Sequence, residues 1–156
     1  MNNTLELAKR LYRLGFSVIP LTADKRPARK WKRYQGERCT PTDLDHWFGL
    51  EDYRPGIVTG ELSGIVVVDC DDEETAAAFR GSYAASPIEQ RTRRGSHFVY
   101  KHPGCRTPNR QRVDGLPCDV RGDGGYVVAY ADAITWAAQE LETAPSYVEP
   151  CVECLI

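Results

Sequence analysis

Nowhere in the 156 residues does an apolar run approach the roughly 20 positions that a membrane-crossing helix requires. Residues 1–10 are polar and then charged. They lack the apolar centre of a secretory leader, so the expected location is the cytoplasm. Internal repeats and low-complexity linkers are missing as well. There is no excess of positive charge either: the formal balance is −2, which argues against a protein held to nucleic acid by bulk charge alone. What is present is 42% apolar and 27% charged residues, the balance of a soluble globular chain. The length suits one compact domain whose core needs no metal or disulfide to hold it.

Six cysteines stand at Cys39, Cys70, Cys105, Cys118, Cys151 and Cys154. Without a leader, the expectation is reduced thiols rather than disulfides. Cys151 and Cys154 form a Cys-x-x-Cys pair. A zinc site would need two more ligands, which Cys105, Cys118 or His102 supply only if the fold gathers them. Charge is clustered. Lys25, Arg26, Arg29, Lys30, Lys32 and Arg33 crowd one stretch; Arg91, Arg93 and Arg94 form a second cluster, and Arg106, Arg110 and Arg112 a third. Acids gather at Asp69, Asp71, Asp72, Glu73 and Glu74. Basic rims around an acidic centre suit a polyanionic substrate with bound cations. Any one cluster taken alone reads better as solvated surface.

Helix and strand signals alternate. Asn3 with Glu6 has the form of a capping box, and Leu7, Ala8, Leu11, Tyr12 and Leu14 follow helical spacing up to Gly15. Residues 16–21 (FSVIPL) read as a strand that Pro20 confines to an edge or an end. The basic stretch 24–35 is loop-like. Thr40 and Pro41 open a second helix with Leu44, Trp47 and Phe48 on its apolar side. Residues 56–59 (GIVT) form a short strand, and 65–68 (IVVV) a central one covered on both faces. A short helix spans 73–80. Residues 89–93 and 97–101 pair around Arg94-Gly95-Ser96, and 118–121 and 126–130 around Gly122-Asp123-Gly124-Gly125. The tail beyond Ala131 is ambiguous, with Trp136 and Tyr147 as anchors back to the body. The expected class is α+β, an antiparallel or mixed sheet with helices on one side.

Asp69 and Asp71 directly follow the β-branched run. Residues i and i+2 of a strand share a face, about 7 Å apart, while Cys70 between them points to the core. Two such carboxylates repel unless cations sit between them. Metals of a phosphoryl-transfer pair lie about 3.5–4 Å apart, within bridging reach, and hard oxygen donors favour magnesium or manganese. The competing account is a helix-start cluster, which suits Asp72 but not Asp69. His97 opens a strand after Arg93-Arg94-Gly95-Ser96, a turn able to cradle phosphate oxygens. It reads equally well as a half-buried hairpin histidine. Asp119 in Cys118-Asp119-Val120-Arg121 would complete a three-carboxylate set, with Arg121 on its face either as its ion-pair partner or reaching a triphosphate.

In this order these residues resemble the archaeo-eukaryotic primase superfamily. Within it they resemble the bifunctional primase–polymerase N-terminal domain of phage and plasmid replication proteins. The resemblance runs through Gly15-Phe16-Ser17-Val18-Ile19-Pro20-Leu21, Lys25-Arg26-Pro27, Trp31, Gly56-Ile57-Val58-Thr59-Gly60 and Ser63-Gly64. It continues through Val67-Val68-Asp69-Cys70-Asp71 and Thr92-Arg93-Arg94-Gly95-Ser96-His97, and closes on Asp119 through Val128. Two places depart from relatives: the Gly-Ser-His order of the turn, and Ala129-Tyr130-Ala131-Asp132 where Ala-Pro-Pro-Ser is common.

The resemblance implies an N-terminal α/β part over 1–60, an RNA-recognition-like part carrying the metal site over 61–130, and a tail over 131–156. It implies that Asp69, Asp71 and Asp119 bind two Mg2+ or Mn2+ ions. It also implies that His97 contacts nucleotide phosphates with Arg93 and Ser96 beside it, and Lys25 and Arg121 are further candidates. The implied activity is nucleotide addition to a primer, or primer synthesis, on single-stranded DNA from nucleoside triphosphates. A helicase or a helical primer-initiation domain would act in trans. Two alternatives use the same residues: a metal-dependent nuclease, and a catalytically reduced relative that binds nucleotides or DNA as a regulatory module.

Overall fold

The computed structural model describes residues 3–82, 88–111 and 118–148. Arg112 and the Cys151/Cys154 pair lie outside them. In chain order the elements are α1 (Asn3–Arg13), β1 (Val18–Leu21), a 3-10 turn (Lys32–Gln35), α2 (Pro41–Leu50) and β2 (Arg54–Val58). They are followed by β3 (Ile65–Cys70), α3 (Glu73–Ser82), β4 (Ile88–Arg91) and β5 (Ser96–Lys101). The last are β6 (Cys118–Arg121), β7 (Tyr126–Val128) and α4 (Ala133–Gln139). The fold is α+β, as the alternation of periods in the sequence indicates.

Local chemistry sets the element ends. Gly15, at φ +102°, closes α1 in a conformation that glycine adopts without penalty. Thr40 caps α2 through a reciprocal box with Asp43, and Pro41 fits the first turn. Asp72 caps α3 by accepting the Thr75 N–H at 2.6 Å.

Two antiparallel sheets result, of order β1-β2-β7 and β4-β5-β3-β6. β3 and β4 both flank β5 antiparallel, so they run parallel to each other, and α3 makes the crossover of a split βαβ unit. β3 lies at the centre of the second sheet, which explains its continuous β-branched run. Alternate residues serve two cores. Val66, Val68, Cys70, Phe98, Tyr100, Cys118 and Val120 meet Ala76 and Phe79 of α3 on the back face. Ile65, Val67, Ile88 and Val99 face the larger cluster, which takes in α1, α2, β1, β2 and Trp136 of α4. Trp136 and Tyr147 are both buried, so both anchor the tail as expected.

Two expectations are corrected. Residues 118–121 and 126–130 do not form a hairpin: β6 pairs with β3, and β7 with β2 in the other sheet. The intervening turn is held instead by Asp123. Its carboxylate accepts the backbone N–H of Thr107 at 2.7 Å and of Glu61 at 3.2 Å and lies 3.0 Å from His102 Nε2. The backbone of Gly122 presses on the Thr107 carbonyl, where a Cβ would overlap. These contacts pull the turn away from β6 and feed β7 to β2.

The second correction concerns the cysteines. Cys70 and Cys118 are joined in a disulfide, because the register sets them directly opposite each other with Cα atoms 4.5 Å apart. That spacing is typical of the closer kind of antiparallel pair. Cys118 is thereby committed, and His102 is engaged with Asp123, so neither stands as a partner for a zinc site. Among the described residues Cys39 and Cys105 are free thiols, and burial pushes the Cys39 thiol up to about 12.

Candidate active site

The strand register assembles the site. Asp69 of β3 faces His97 of β5 on one side and Asp119 of β6 on the other. Gln90 of β4 faces His97 in turn, so Gln90, His97, Asp69 and Asp119 make one row across four strands. The neighbouring row on the same face is Ile88, Val99, Val67 and Arg121, largely apolar and buried against the core. The face therefore changes from apolar to ionisable in a single two-residue step of about 7 Å. Asp71 stands one further step along, just past the end of β3.

A cavity of about 420 Å³ opens over this step. Its walls include Lys25, Asp69, Asp71, Arg93, Arg94, His97 and Arg121, together with Tyr126 and Tyr130. Asp119, the cross-strand neighbour of Asp69, is not among the lining residues. The turn 92–95 reaches the end of β3 because Gly95 has no side chain: a Cβ there would overlap the Cys70 carbonyl oxygen and come within 2.8 Å of the Asp72 nitrogen. Thr92 closes the turn, its hydroxyl accepting the Gly95 N–H at 3.1 Å. Arg93 and Arg94 are thereby set beside Asp71 in the wall of the cavity.

Electrostatics follow from the row. His97 Nε2 lies 3.4 Å from Asp69 Oδ1, and the guanidinium of Arg121 lies 4.0 Å from Asp69 and 3.4 Å from Asp119. Burial works against the charge on Asp69. The His97 hydrogen bond and the positive charges of His97, Arg121 and Lys25 outweigh it, holding the carboxyl below the ordinary aspartate value. Asp71 is shifted the opposite way, first by desolvation and then by the charges of Asp69 and Asp119. Three carboxylates thus sense one another at one place. Among the described residues, however, no three His, Cys, Asp or Glu side chains close around a common point as a finished metal cage. Arg121 serves as the counter-charge between Asp69 and Asp119 instead.

Asp69, Asp71, His97, Arg93, Arg121 and Lys25 all reach the cavity, and Asp119 joins them through the register. Ser96 does not. It is in register with Cys70 on the back face, and its hydroxyl donates to Glu89 at 3.1 Å. A residue directly before His97 in a strand must point the other way. Sequence reasoning missed Tyr126 and Tyr130 as wall residues; the signal available was the two-residue alternation from Tyr126 through Val128 to Tyr130. Gly122 to Gly125 serves as an internal clamp around Asp123 rather than as a wall of the cavity.

No helix among the described residues is long and apolar enough to cross a membrane. A comparison with curated proteins gives no match. The family model for the N-terminal domain of bifunctional DNA primase/polymerases matches residues 8–151, which includes every residue of the row and of the cavity wall, and the chain belongs to that Prim-Pol family.

Proposed function

We propose that this domain catalyses metal-dependent nucleotidyl transfer, adding nucleotides from triphosphates to a primer, or starting one, on single-stranded DNA. Family membership supports DNA primase/polymerase activity at the level of the family. The observation that carries the finer reading is the register of Asp69 between His97 and Asp119, with Asp71 one step beyond. Asp71 is shifted upward by desolvation first and then by the charges of Asp69 and Asp119, and such a gathering of hard oxygen donors fits Mg2+ or Mn2+. Asp69, Asp71 and Asp119 would hold two such ions, with Arg121 ceding its place between Asp69 and Asp119. When bound, the ions would supply acidification of the primer hydroxyl and charge neutralisation at the leaving pyrophosphate.

The side chains of the chain itself divide the remaining work. Arg93, Arg94 and Lys25 line the wall on which a triphosphate would rest, and a fixed positive wall stabilises charge at no reorganisation cost. His97 is buried and held beside Asp69, so its imidazole is oriented before substrate arrives. The exposed basic residues of the stretch 25–33 would track template phosphates. A helicase or priming domain in trans would complete the system.

The test is extension of a labelled primer on a single-stranded template with Mg2+ or Mn2+ by the wild type and by the D69A/D71A double variant. Extension by the wild type alone, with both proteins folded, supports the proposal. Extension by the double variant contradicts it. Cleavage of the labelled strand without triphosphates would assign the same carboxylates to hydrolysis.

A further inference from the structure

Lys25 is the one non-glycine residue among the described residues with a left-handed backbone, at φ 66°. Such a conformation costs roughly 1–2 kcal/mol and persists where the surroundings hold it. The turn that presents it is tightly built. Thr22 N–H donates to the Arg26 carbonyl at 2.8 Å, Lys25 N–H donates to the Thr22 carbonyl at 2.9 Å, and Ala28 N–H donates to the Pro20 carbonyl at 2.9 Å. At the tip, the carbonyl of Lys25 itself accepts the hydroxyl of Tyr126 at 3.0 Å across 101 residues of chain. Tyr126 is in turn fixed twice over. Its backbone, in β7, is in register with Val58 of β2, and its ring meets Trp31 edge-on at 5.2 Å. Lys25 and Tyr126 both line the cavity, and the Lys25 charge is felt at Asp69.

We infer that Tyr126 is a positioning residue for triphosphate binding: its hydroxyl pins the strained Lys25 turn so that the ammonium is held over the carboxylate cavity. The inference rests on the proposed reading of the cavity as a nucleotide site and adds the part that fixes the turn carrying Lys25. A left-handed backbone on an exposed turn is costly to hold, and fixing it beforehand through its carbonyl spares the substrate that ordering cost. Tyr126 touches no reacting atom in this account. It acts through Lys25.

Equilibrium binding of a fluorescent deoxynucleoside triphosphate in Mg2+ separates the possibilities. Tyr126→Phe keeps the ring against Trp31 and removes only the hydroxyl. It is expected to weaken triphosphate binding about fivefold, the factor equivalent to one neutral hydrogen bond of about 1 kcal/mol. Lys25→Gly suits the left-handed turn and removes the ammonium, so it should weaken binding as well. In that background Tyr126→Phe should add nothing. The cooperative thermal melt and the circular dichroism of Tyr126→Phe should keep the form of the wild type, which a general loss of structure would not allow.

Unchanged triphosphate binding by Tyr126→Phe, or equal losses from Tyr126→Phe with and without the Lys25 ammonium, would each overturn the inference while leaving the nucleotide site in place. A wild type that binds no triphosphate would overturn the nucleotide reading and this inference together.

Discussion

Asp69 on β3 and Asp119 on β6 are direct cross-strand partners, and the guanidinium of Arg121 bridges their carboxylates at 4.0 Å and 3.4 Å. Like charges placed opposite each other in a sheet destabilise it, so this pair needs a cation. Arg121 supplies one from within the chain, and a divalent ion would have to displace it.

Arg121→Gln should therefore lower the melting temperature in the presence of chelator, by the equivalent of up to about 1 kcal/mol at this partly exposed site. Adding Mn2+ should raise the melting temperature of the variant more than that of the wild type, since ligand binding stabilises by mass action and the variant lacks the competing cation. Paired thermal melts with and without Mn2+ check both statements.

Asp69 in β3 and Asp71 just past its end should respond to pH in opposite senses. The folded-state value of Asp69 lies below its ordinary 3.8, so its stabilising contribution is full above that value and is lost as the pH falls through the depressed one. Denaturant midpoints of Asp69→Asn should fall less steeply on acidification than those of the wild type. Asp71 is raised, so its ionised form burdens the folded state above the raised value. Asp71→Asn should then melt slightly higher than the wild type near neutral pH, by less than about 1 kcal/mol because the site is exposed. It should also lose primer extension. Stability gained as activity disappears is the expected mark of a functional carboxylate.

Gly95→Ala should be among the most damaging of small substitutions. Its Cβ would meet backbone atoms of Cys70 and Asp72, which cannot give way without moving the end of β3. A loss of about 2 kcal/mol or more is expected, together with loss of nucleotide binding as Arg93 and Arg94 shift. Gly36→Ala, where nothing lies within 4 Å of the added methyl, should be nearly neutral. Chemical denaturation of the two variants makes the comparison.

The Cys70–Cys118 link spans 48 residues of sequence directly behind the Asp69–Asp119 pair. By the chain-entropy argument its reduction should cost about 4 kcal/mol. Melts with and without reductant measure this, and alkylation followed by peptide mass analysis should find both sulfurs blocked until reduction.

Much of this site was legible before any coordinates. The β-branched run 65–68 announced a central strand, and two-residue alternation put Asp69 and Asp71 on one face and Cys70 on the other. Cys70 is indeed buried on the back with Phe79 and Phe98. What the chain order did not disclose was register. The facing of Asp69 with both His97 and Asp119 depends on which strands pair, and the glycine-rich stretch 122–125 suggested a hairpin that tertiary contacts of Asp123 override. The disulfide escaped for the same reason: compartment arguments say nothing about two cysteines that register places opposite each other. Ser96 falls outside the cavity because strand alternation, which the turn motif does not reveal, sends its hydroxyl to Glu89. Tyr126 was hidden because its partner, the Lys25 carbonyl, lies 101 residues away.

The central claim is that the carboxylates of Asp69, Asp71 and Asp119 together gather divalent cations. Titration of Mn2+ followed by electron paramagnetic resonance tests it without requiring catalysis. Saturable Mn2+ binding by the wild type is expected, weakened at least about tenfold by Asp69→Asn and likewise by Asp119→Asn in folded protein. Binding by the folded Asp119→Asn variant indistinguishable from the wild type would contradict it.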